Sequence, residues 1–321
     1  MEMILMTNRV RSNAWARTPD GSERGSIECR QLEEVWFHTG TACNLSCPSC
    51  LEGSRPGDDR IGLLRYIEAR PFIDEALTLG VRQFSFTGGE PFVAKDLISI
   101  LDYALRFRPC LVLTNGTDPL IRRTGEILPL KNAPHPLSFR ISLDHYDPQV
   151  HDRERGQEMF KRALDGLHIL KDGGFHVSIA CRMTDDSFDV RTSGFAKLLR
   201  SEGLSGEIPR IEFPELYPPG KLVATPQISK SCMESYPTEA SRKSFMCSKS
   251  RMVAKIAGQM RVYACTLVDD DPDFDMGATL AESLNEPVRL KHHRCYSCFA
   301  YGSSCSELAE TNAPAKGRPF E

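Results

Sequence analysis

The chain has 321 residues, 40% apolar and 26% charged, the balance of an ordinary globular protein, with room for one large domain and a smaller one. Its net charge of −3 argues against a general nucleic-acid binder, whose surface is usually basic. No apolar run approaches the roughly 18–20 residues that span a bilayer, and Met1–Met6 is too short and lacks the basic start of an export signal. The expected setting is cytoplasmic, with neither nucleic acid nor membrane as partner. The twelve cysteines are the outlier. In a long chain without an export signal they favour metal or redox chemistry over disulfides.

Residues 1–33 are polar and without periodicity, and read as an extension that packs on the surface or is partly disordered, with Cys29 an unliganded thiol. From residue 34 to 222 strands and helices alternate. The strand-like runs are Glu34–Thr39, Gln83–Thr87, Cys110–Thr114, Ser138–Leu143, His176–Arg182 and Arg210–Leu216. Between them, Asp96–Phe107 puts Leu97, Ile100, Leu101, Ala104 and Leu105 on one helical face, and Gln157–Lys171 does so with Phe160, Ala163, Leu164, Leu167 and Leu170. Leu63, Leu64 and Ile67 make a weaker stripe, in which Pro71 is expected to kink or restart the helix. Arg191–Arg200 is a further helix candidate. Such βα units imply parallel pairing. They fit a full or partial (β/α) barrel, or an open doubly wound sheet. Polar motifs end five different strands, which suits the mouth of a partial (β/α)6 TIM-like barrel better than one crevice. Residues 223–246 look like a linker or inserted loop, 247–308 a small cysteine-rich unit, and 309–321 a flexible tail.

The first strand runs out into Cys43-Asn-Leu-Ser-Cys47-Pro-Ser-Cys50. Three thiolates at a strand exit can hold an iron–sulfur cluster with one position open to a non-protein ligand. Zinc is the competing reading, with His38 completing a Cys₃His set. The second strand ends in Gly88-Gly89-Glu90-Pro91, where two glycines allow close backbone approach and expose N–H groups, and Glu90 offers a carboxylate for an ammonium group.

C-x₃-C-x₂-C after strand one, followed by Gly-Gly-Glu-Pro after strand two, resembles the radical S-adenosylmethionine superfamily over roughly residues 34–220. The resemblance implies that Cys43, Cys47 and Cys50 bind a [4Fe–4S] cluster, and that S-adenosylmethionine chelates the fourth iron through its amine and carboxylate. It implies an amine contact for Glu90, within the cofactor-binding turn Gly88–Pro91. Ser142 and Asp144 in Ile-Ser-Leu-Asp resemble the strand-four position that contacts the cofactor. Asn115 after strand three and Arg182 at the end of strand five are further cofactor-binding candidates. Arg182 is suited to the methionine carboxylate, and Arg153 and Arg155 carry the same reading as Arg182. Many members have an aromatic residue before the third cysteine. Here Ser49 stands there, so adenine packing is expected from elsewhere, with His38 or Phe37 as candidates. The implied chemistry is one-electron cleavage of the sulfonium, giving a 5′-deoxyadenosyl radical that abstracts hydrogen from substrate. It implies an external reductant such as flavodoxin or ferredoxin.

Farther on, Met252–Ile256 and Met260–Tyr263 alternate around Ala257-Gly258-Gln259 as a β-hairpin, bracketed by Cys247 and Cys265. Cys295-Tyr-Ser-Cys298 follows, then Cys305. Four thiolates suit a closed [4Fe–4S] cluster or a Cys₄ zinc site. Beside the first half, the unit is similar to the twitch auxiliary-cluster domain, the half-size relative of SPASM, and Leu216–Lys221 resembles the exit from strand six in those enzymes. Two auxiliary clusters would draw on about seven or more cysteines, and five follow residue 246. One cluster is therefore expected, on Cys247, Cys265, Cys295 and Cys298, with Cys305 able to displace one of the last pair. The run Asp269-Asp-Asp-Pro-Asp273 reads as a solvated loop, or as a base toward a substrate radical. Cys110 and Cys181 read as core, and Cys232 as a mobile thiol. A closed auxiliary cluster favours electron acceptance, hence dehydrogenation of an alcohol carbon in small-molecule biosynthesis. The alternative is peptide modification, as in sulfatase maturation or ribosomal peptide crosslinking. A leader-binding domain of about 80 residues is not expected, since only 33 residues precede strand one. A zinc-binding interaction protein would leave Gly88–Pro91 and Ser142–Asp144 unexplained.

Overall fold

The computed structural model describes residues 11–204, 208–213, 217–221 and 223–302. In chain order it contains β1 (Ser26–Ile27), β2 (Glu34–His38), α1 (Tyr66–Thr78), β3 (Gln83–Thr87), α2 (Leu97–Ala104), β4 (Cys110–Thr114), α3 (Asp118–Arg122), α4 (Thr124–Ile127), β5 (Leu137–Ser142), α5 (Pro148–Arg155), α6 (Met159–Asp172), β6 (His176–Arg182), α7 (Phe188–Ser201) and β7 (Arg210–Phe213). The remainder adds α8 (Glu239–Arg242), β8 (Ser250–Ile256), β9 (Gln259–Tyr263), β10 (Asp275–Gly277), β11 (Val288–Arg289) and α9 (His293–Tyr301).

β2 to β7 pair in parallel and lie side by side in chain order. A doubly wound sheet reverses its strand order at a switch point. This one does not, so its crossovers stack on one face and the sheet curls into a partial (β/α)6 barrel. Strand alternation sorts the two cores. Val35, Phe37, Phe84, Phe86, Cys110, Val112, Phe139 and Ile141 pack with the helices. Trp36 and Leu111 point the other way, into a second core with Met252, Tyr263, Phe274 and Phe299.

Three expectations change. α1 runs unbroken through Pro71 and buries Ala69, Phe72, Ile73 and Ala76. The missing N–H of Pro71 forfeits one bond, to the carbonyl of Ile67, a residue near the helix start that is 70% exposed. Leu63 is also exposed, so of the expected stripe only Leu64 is buried. Residues 11–33 are built into the second core. Trp15 meets Phe274 edge-on at 5.1 Å, β1 pairs with β11, and the buried Arg24 donates to Ala14 O at 3.0 Å. The stretch 223–246 buries Ile228, Met233, Phe245 and Met246 in the same core. The hairpin β8–β9 forms as expected, and β8 also pairs in parallel with β2, Glu34 opposite Ser250. The barrel sheet therefore continues into the cysteine-rich unit. Among the described residues no helix is long and apolar enough to cross a membrane.

Candidate active site

The loop after β2 carries Cys43, Cys47 and Cys50, all half-buried. Backbone N–H groups point at two of the sulfurs: Leu45 N donates to Cys43 Sγ at 3.3 Å and Ser54 N to Cys50 Sγ at 3.4 Å. Sulfur that accepts hydrogen bonds is disposed to be thiolate, as in iron–sulfur ligands. Burial, with Glu90 and the neighbouring thiols, pushes Cys43 up to about 12, and burial likewise raises Cys47 and Cys50. Without a metal these thiols keep their protons, so metal binding must expel them. Around one zinc ion, with Zn–S of about 2.3 Å, tetrahedral geometry sets sulfurs about 3.8 Å apart. Among the described residues the one group of ligating atoms gathered within 4.8 Å is His38, Glu52 and Asp269. Neither cysteine set is drawn in as tightly as a single ion would draw it.

Gly88 and Gly89 have a different use from the one expected. A Cβ on Gly89 would lie 2.4 Å from Ala42 O, and one on Gly88, whose φ is +139°, 2.7 Å from Gly40 O. Gly89 N donates to Gly40 O at 2.9 Å and Glu90 N to Ala42 O at 3.1 Å. The glycines let the strand exit lie flat against the cysteine loop, so these two amides are spent on that loop rather than exposed. Pro91 then starts a 3₁₀ turn, with the Glu90 carboxylate accepting from Phe92 N at its head. The same carboxylate accepts from Thr114 Oγ1 at 2.8 Å and Asn115 N at 2.8 Å. Burial pushes Glu90 up to about 7 against the pull of these donors. Asn115 Nδ2 donates to Asn44 Oδ1 at 2.9 Å, which ties the cysteine loop to the end of β4.

Asp144, just past β5, does not present a free carboxylate. Arg155, in the last turn of α5, grips it with Nε at 2.7 Å and Nη2 at 2.9 Å. Burial alone would raise Asp144, but Arg155 outweighs it and holds the carboxyl below the usual range. The guanidinium also lies in the field of Cys47 and Cys50. Ser142, half-buried at the end of β5, is left as the nearby hydroxyl. Arg182 closes β6, where Nη1 donates to Glu154 Oε2 at 2.8 Å and to Ser49 Oγ at 3.0 Å. Ser49 Oγ in turn donates to Glu154 at 2.7 Å. The departure from an aromatic residue thus builds a clasp between the cysteine loop, α5 and β6. Arg153, Glu154 and Arg155 line a shallow cavity of about 330 Å³ beside Asn44, Leu45 and Pro48.

His38 and Phe37 are both fully buried and offer no open face to adenine. Phe37 is fully buried among the helices, stacked on Phe86 at 5.4 Å. His38 accepts from Gly40 N on Nδ1 at 3.1 Å and meets Glu52 through Nε2 at 3.0 Å, which also removes it from a Cys₃His set. Arg60 links this pair to Asp269, with Nη1 to Oδ2 at 2.9 Å. The acidic run is therefore no solvated loop. Asp269 and Asp273 are buried, Asp270 faces His292 at 3.1 Å, and Lys291 holds Asp271 and Asp273 at 2.8 and 2.6 Å.

Of the second set, Cys247 precedes β8, Cys265 follows β9, and Cys295 and Cys298 share one face of α9 at i, i+3. Burial raises Cys247, Cys295 and Cys298, and Cys247 and Cys295 also feel the other thiols of the set. Cys305 and Leu216 lie outside the described residues. Cys29, Cys110 and Cys181 are buried in the helix-facing core, as expected for thiols without a ligand role. Cys232 is half-buried, its Sγ 3.3 Å from Ser229 Oγ. Glu52, Arg60, His151, Glu154 and Arg294 had no motif to announce them. The only hint was the charge density of His151–Arg155 and the position of Glu52 two residues past Cys50. Arg294, fully buried next to Cys295, donates to Leu267 O at 2.9 Å and to Leu51 O and Tyr217 O at 2.7 Å. It spans the two cysteine units.

A family model described as Radical SAM superfamily matches residues 37–184. Among curated proteins, the Bacillus subtilis antilisterial bacteriocin subtilosin biosynthesis protein AlbA is 33% identical over 49% of this chain and 34% of its own length. An AdoMet-dependent heme synthase of Methanosarcina barkeri is 29% identical over 60% of this chain and 48% of its own. Mycofactocin maturase MftC of Mycolicibacterium smegmatis is 31% identical over 53% and 42%. The chain spans a third to a half of the length of these relatives. Among solved structures, Streptococcus suis SuiB bound to precursor peptide SuiA superposes with TM-score 0.57 at 12% identity, covering 80% of this chain and 65% of that one. Native anSMEcpe with bound AdoMet and Cp18Cys peptide gives 0.56 at 15%, covering 87% and 91%. At such identities the likeness is one of fold.

Proposed function

We propose, from the premise that this chain belongs to the radical SAM superfamily through residues 37–184, that Cys43, Cys47 and Cys50 hold the [4Fe–4S] cluster at which S-adenosylmethionine binds. When bound, cluster and cofactor supply reductive cleavage of the sulfonium and a radical that takes hydrogen from the substrate. The chain's own residues do the positioning. Leu45 N and Ser54 N donate to ligand sulfurs, and Arg155 sets a positive charge beside Cys47 and Cys50. Glu90 offers the amine a desolvated carboxylate fixed by three donors. Ser142 supplies a hydroxyl, Asn115 braces the loop, and Arg182 and Ser49 shut its far side. Cys247, Cys265, Cys295 and Cys298 hold a closed second cluster that accepts an electron from the substrate radical, making the net reaction an oxidation.

The observation that carries this reading is the convergence at one edge of a parallel barrel. The three-cysteine loop, the buried Glu90 and the Asp144–Arg155 pair arrive there from three separate strands. For the substrate, we propose a peptide side chain. AlbA and MftC are named for bacteriocin biosynthesis and maturation, and both solved neighbours were captured with peptides. Oxidation of a small molecule is the second reading, favoured by the heme synthases among the relatives. Anaerobic reconstitution tests the scheme. Two clusters require roughly eight irons per chain and absorbance near about 400 nm, whereas zinc alone would refute it. Replacing Cys43, Cys47 and Cys50 with Ala should abolish 5′-deoxyadenosine formation. Cys295→Ala with Cys298→Ala should leave uncoupled cleavage without product. Product from that second variant would remove the electron-accepting role.

A further inference from the structure

A groove of about 530 Å³ opens on the far side of the molecule from the Cys43–Cys50 loop. Parallel pairing fixes this polarity. The cysteine loop leaves the C-terminal end of β2, whereas Glu33 N and Glu34 N donate to Lys249 O, at the strand starts, at 2.7 and 3.1 Å. The five residues of β2 separate the two edges by about 17 Å.

The groove has a basic bias in an acidic chain. Arg30, Lys230, Arg242, Lys243 and Lys249 line it, against three carboxylates. The rim cations are exposed, and their ion pairs, Lys230 with Glu23 at 2.9 Å, Arg30 with Glu28 at 3.4 Å and Lys243 with Glu33 at 3.4 Å, leave the cation side chains 73%, 63% and 49% exposed, too wet to hold them strongly. Lys249 is different. It is only 3% exposed, and among the described residues its ammonium has no hydrogen-bond or ion-pair partner. A cation so placed on the wall of an open groove is poised for an anionic group brought from outside. Lys249 follows Cys247 by two residues, Ser248 lines the groove beside it, and Lys249 lies in the field of the Glu34 and Glu33 carboxylates and, more weakly, of Cys298. A molecule seated here touches Ser248 and Lys249, the two residues that follow Cys247, and stands a strand length away from the barrel mouth. That position does not suit a substrate peptide, whose reacting carbon must reach the mouth.

We propose that this groove docks a small acidic one-electron carrier protein, which collects the electron left on the second cysteine set. The proposal rests on the two-cluster reading above. In each turnover one electron passes from the centre held by Cys247, Cys265, Cys295 and Cys298 to the oxidised carrier. No bond forms or breaks, and the carrier departs reduced by one electron.

The test uses reconstituted full-length holoenzyme and a purified acidic flavodoxin. Binding is followed by flavin fluorescence anisotropy at rising salt, for the parent and for the double variant Arg242→Glu with Lys243→Glu. The expected result is at least about tenfold weaker binding by the variant and a shallower salt dependence. The variant should also show about tenfold lower kcat/KM for the carrier when flavodoxin is the sole electron partner, with dithionite-driven 5′-deoxyadenosine formation unchanged. Lys249→Met should weaken binding in the same assay, and if that chain fails to fold, the rim variant alone decides. Equal affinity and equal carrier-driven turnover would overturn the proposal, as would a raised KM for a peptide substrate with carrier binding intact. An iron content of about four rather than about eight per chain in the parent, or product from the Cys295→Ala, Cys298→Ala variant, would instead refute the two-cluster reading, because carrier binding is read separately.

Discussion

Replacing Arg155 with Met isolates the interaction that braces the barrel mouth. Asp144 is 8% exposed, and Arg155 supplies two charge-assisted bonds at 2.7 and 2.9 Å. Removing one member of a buried pair costs about 3–5 kcal/mol, because the other charge stays buried and uncompensated. Residual exposure of the Arg155 side chain, 19%, places the expected loss near the low end, about 3 kcal/mol. With a urea m-value of about 3 kcal/mol/M, the midpoint should fall by about 1 M. The assay is anaerobic urea denaturation of the metal-free chain at pH 7, followed through Trp15 and Trp36, both buried. Adding Asp144→Asn should recover more than half of the loss, since the stranded charge is then gone. The deficit should also grow with pH. Without Arg155, burial lifts the folded pKa of Asp144 above its unfolded value, and stability is lost as pH rises through it. A midpoint within about 0.2 M of the parent, or a double variant as unstable as the two single losses added, would refute the reasoning.

Three further outcomes are expected. His151 is fully buried, and burial, then the Arg155 charge, lowers its pKa to about 4. The unfolded chain therefore takes up its proton first, and stability should fall by up to about 3 kcal/mol as pH drops from about 6.5 to 4. His151→Phe should flatten that part of a denaturation–pH profile, and an unchanged slope would count against the assignment. Gly89→Ala places a methyl 2.4 Å from Ala42 O, so the cysteine loop must shift. Iron content should drop toward half of the parent value while the far-ultraviolet circular dichroism stays put, and full iron loading would contradict the packing argument. Arg294→Met strands three carbonyl acceptors and should cost about 3 kcal/mol by the same urea assay, against an effect within error if the contacts are incidental.

The strands and the second hairpin were legible because each carries a short apolar run bounded by turn residues, and Gln83–Thr87, Cys110–Thr114 and His176–Arg182 match in extent. Barrel and doubly wound sheet were not separable by periodicity, because strand order is a property of long-range pairing. The cysteine loop and Gly88–Pro91 could be found as motifs, but the use of the glycines could not, since it depends on where Gly40 and Ala42 return in space. The same holds for Ser49, whose hydroxyl gains meaning only beside Glu154 and Arg182. The acidic run misled because composition reports charge without its partners, and Lys291, His292 and Arg60 come from elsewhere in the chain. Pro71 misled for the opposite reason. A proline breaks the hydrogen-bond ladder of a helix interior, whereas the carbonyl partner that Pro71 leaves unpaired lies near the helix start.

The parallel pairing of β2 with β8 has a consequence for how the chain is born. More than two hundred residues of synthesis separate Glu34 from its partner Ser250, about 10–40 s at about 5–20 residues per second. Through that interval β2 is an uncapped edge, and Trp36, which will be wholly enclosed, has no Met252 or Tyr263 to cover it. A nascent chain stalled before Ser250 therefore offers a bare strand for mispairing.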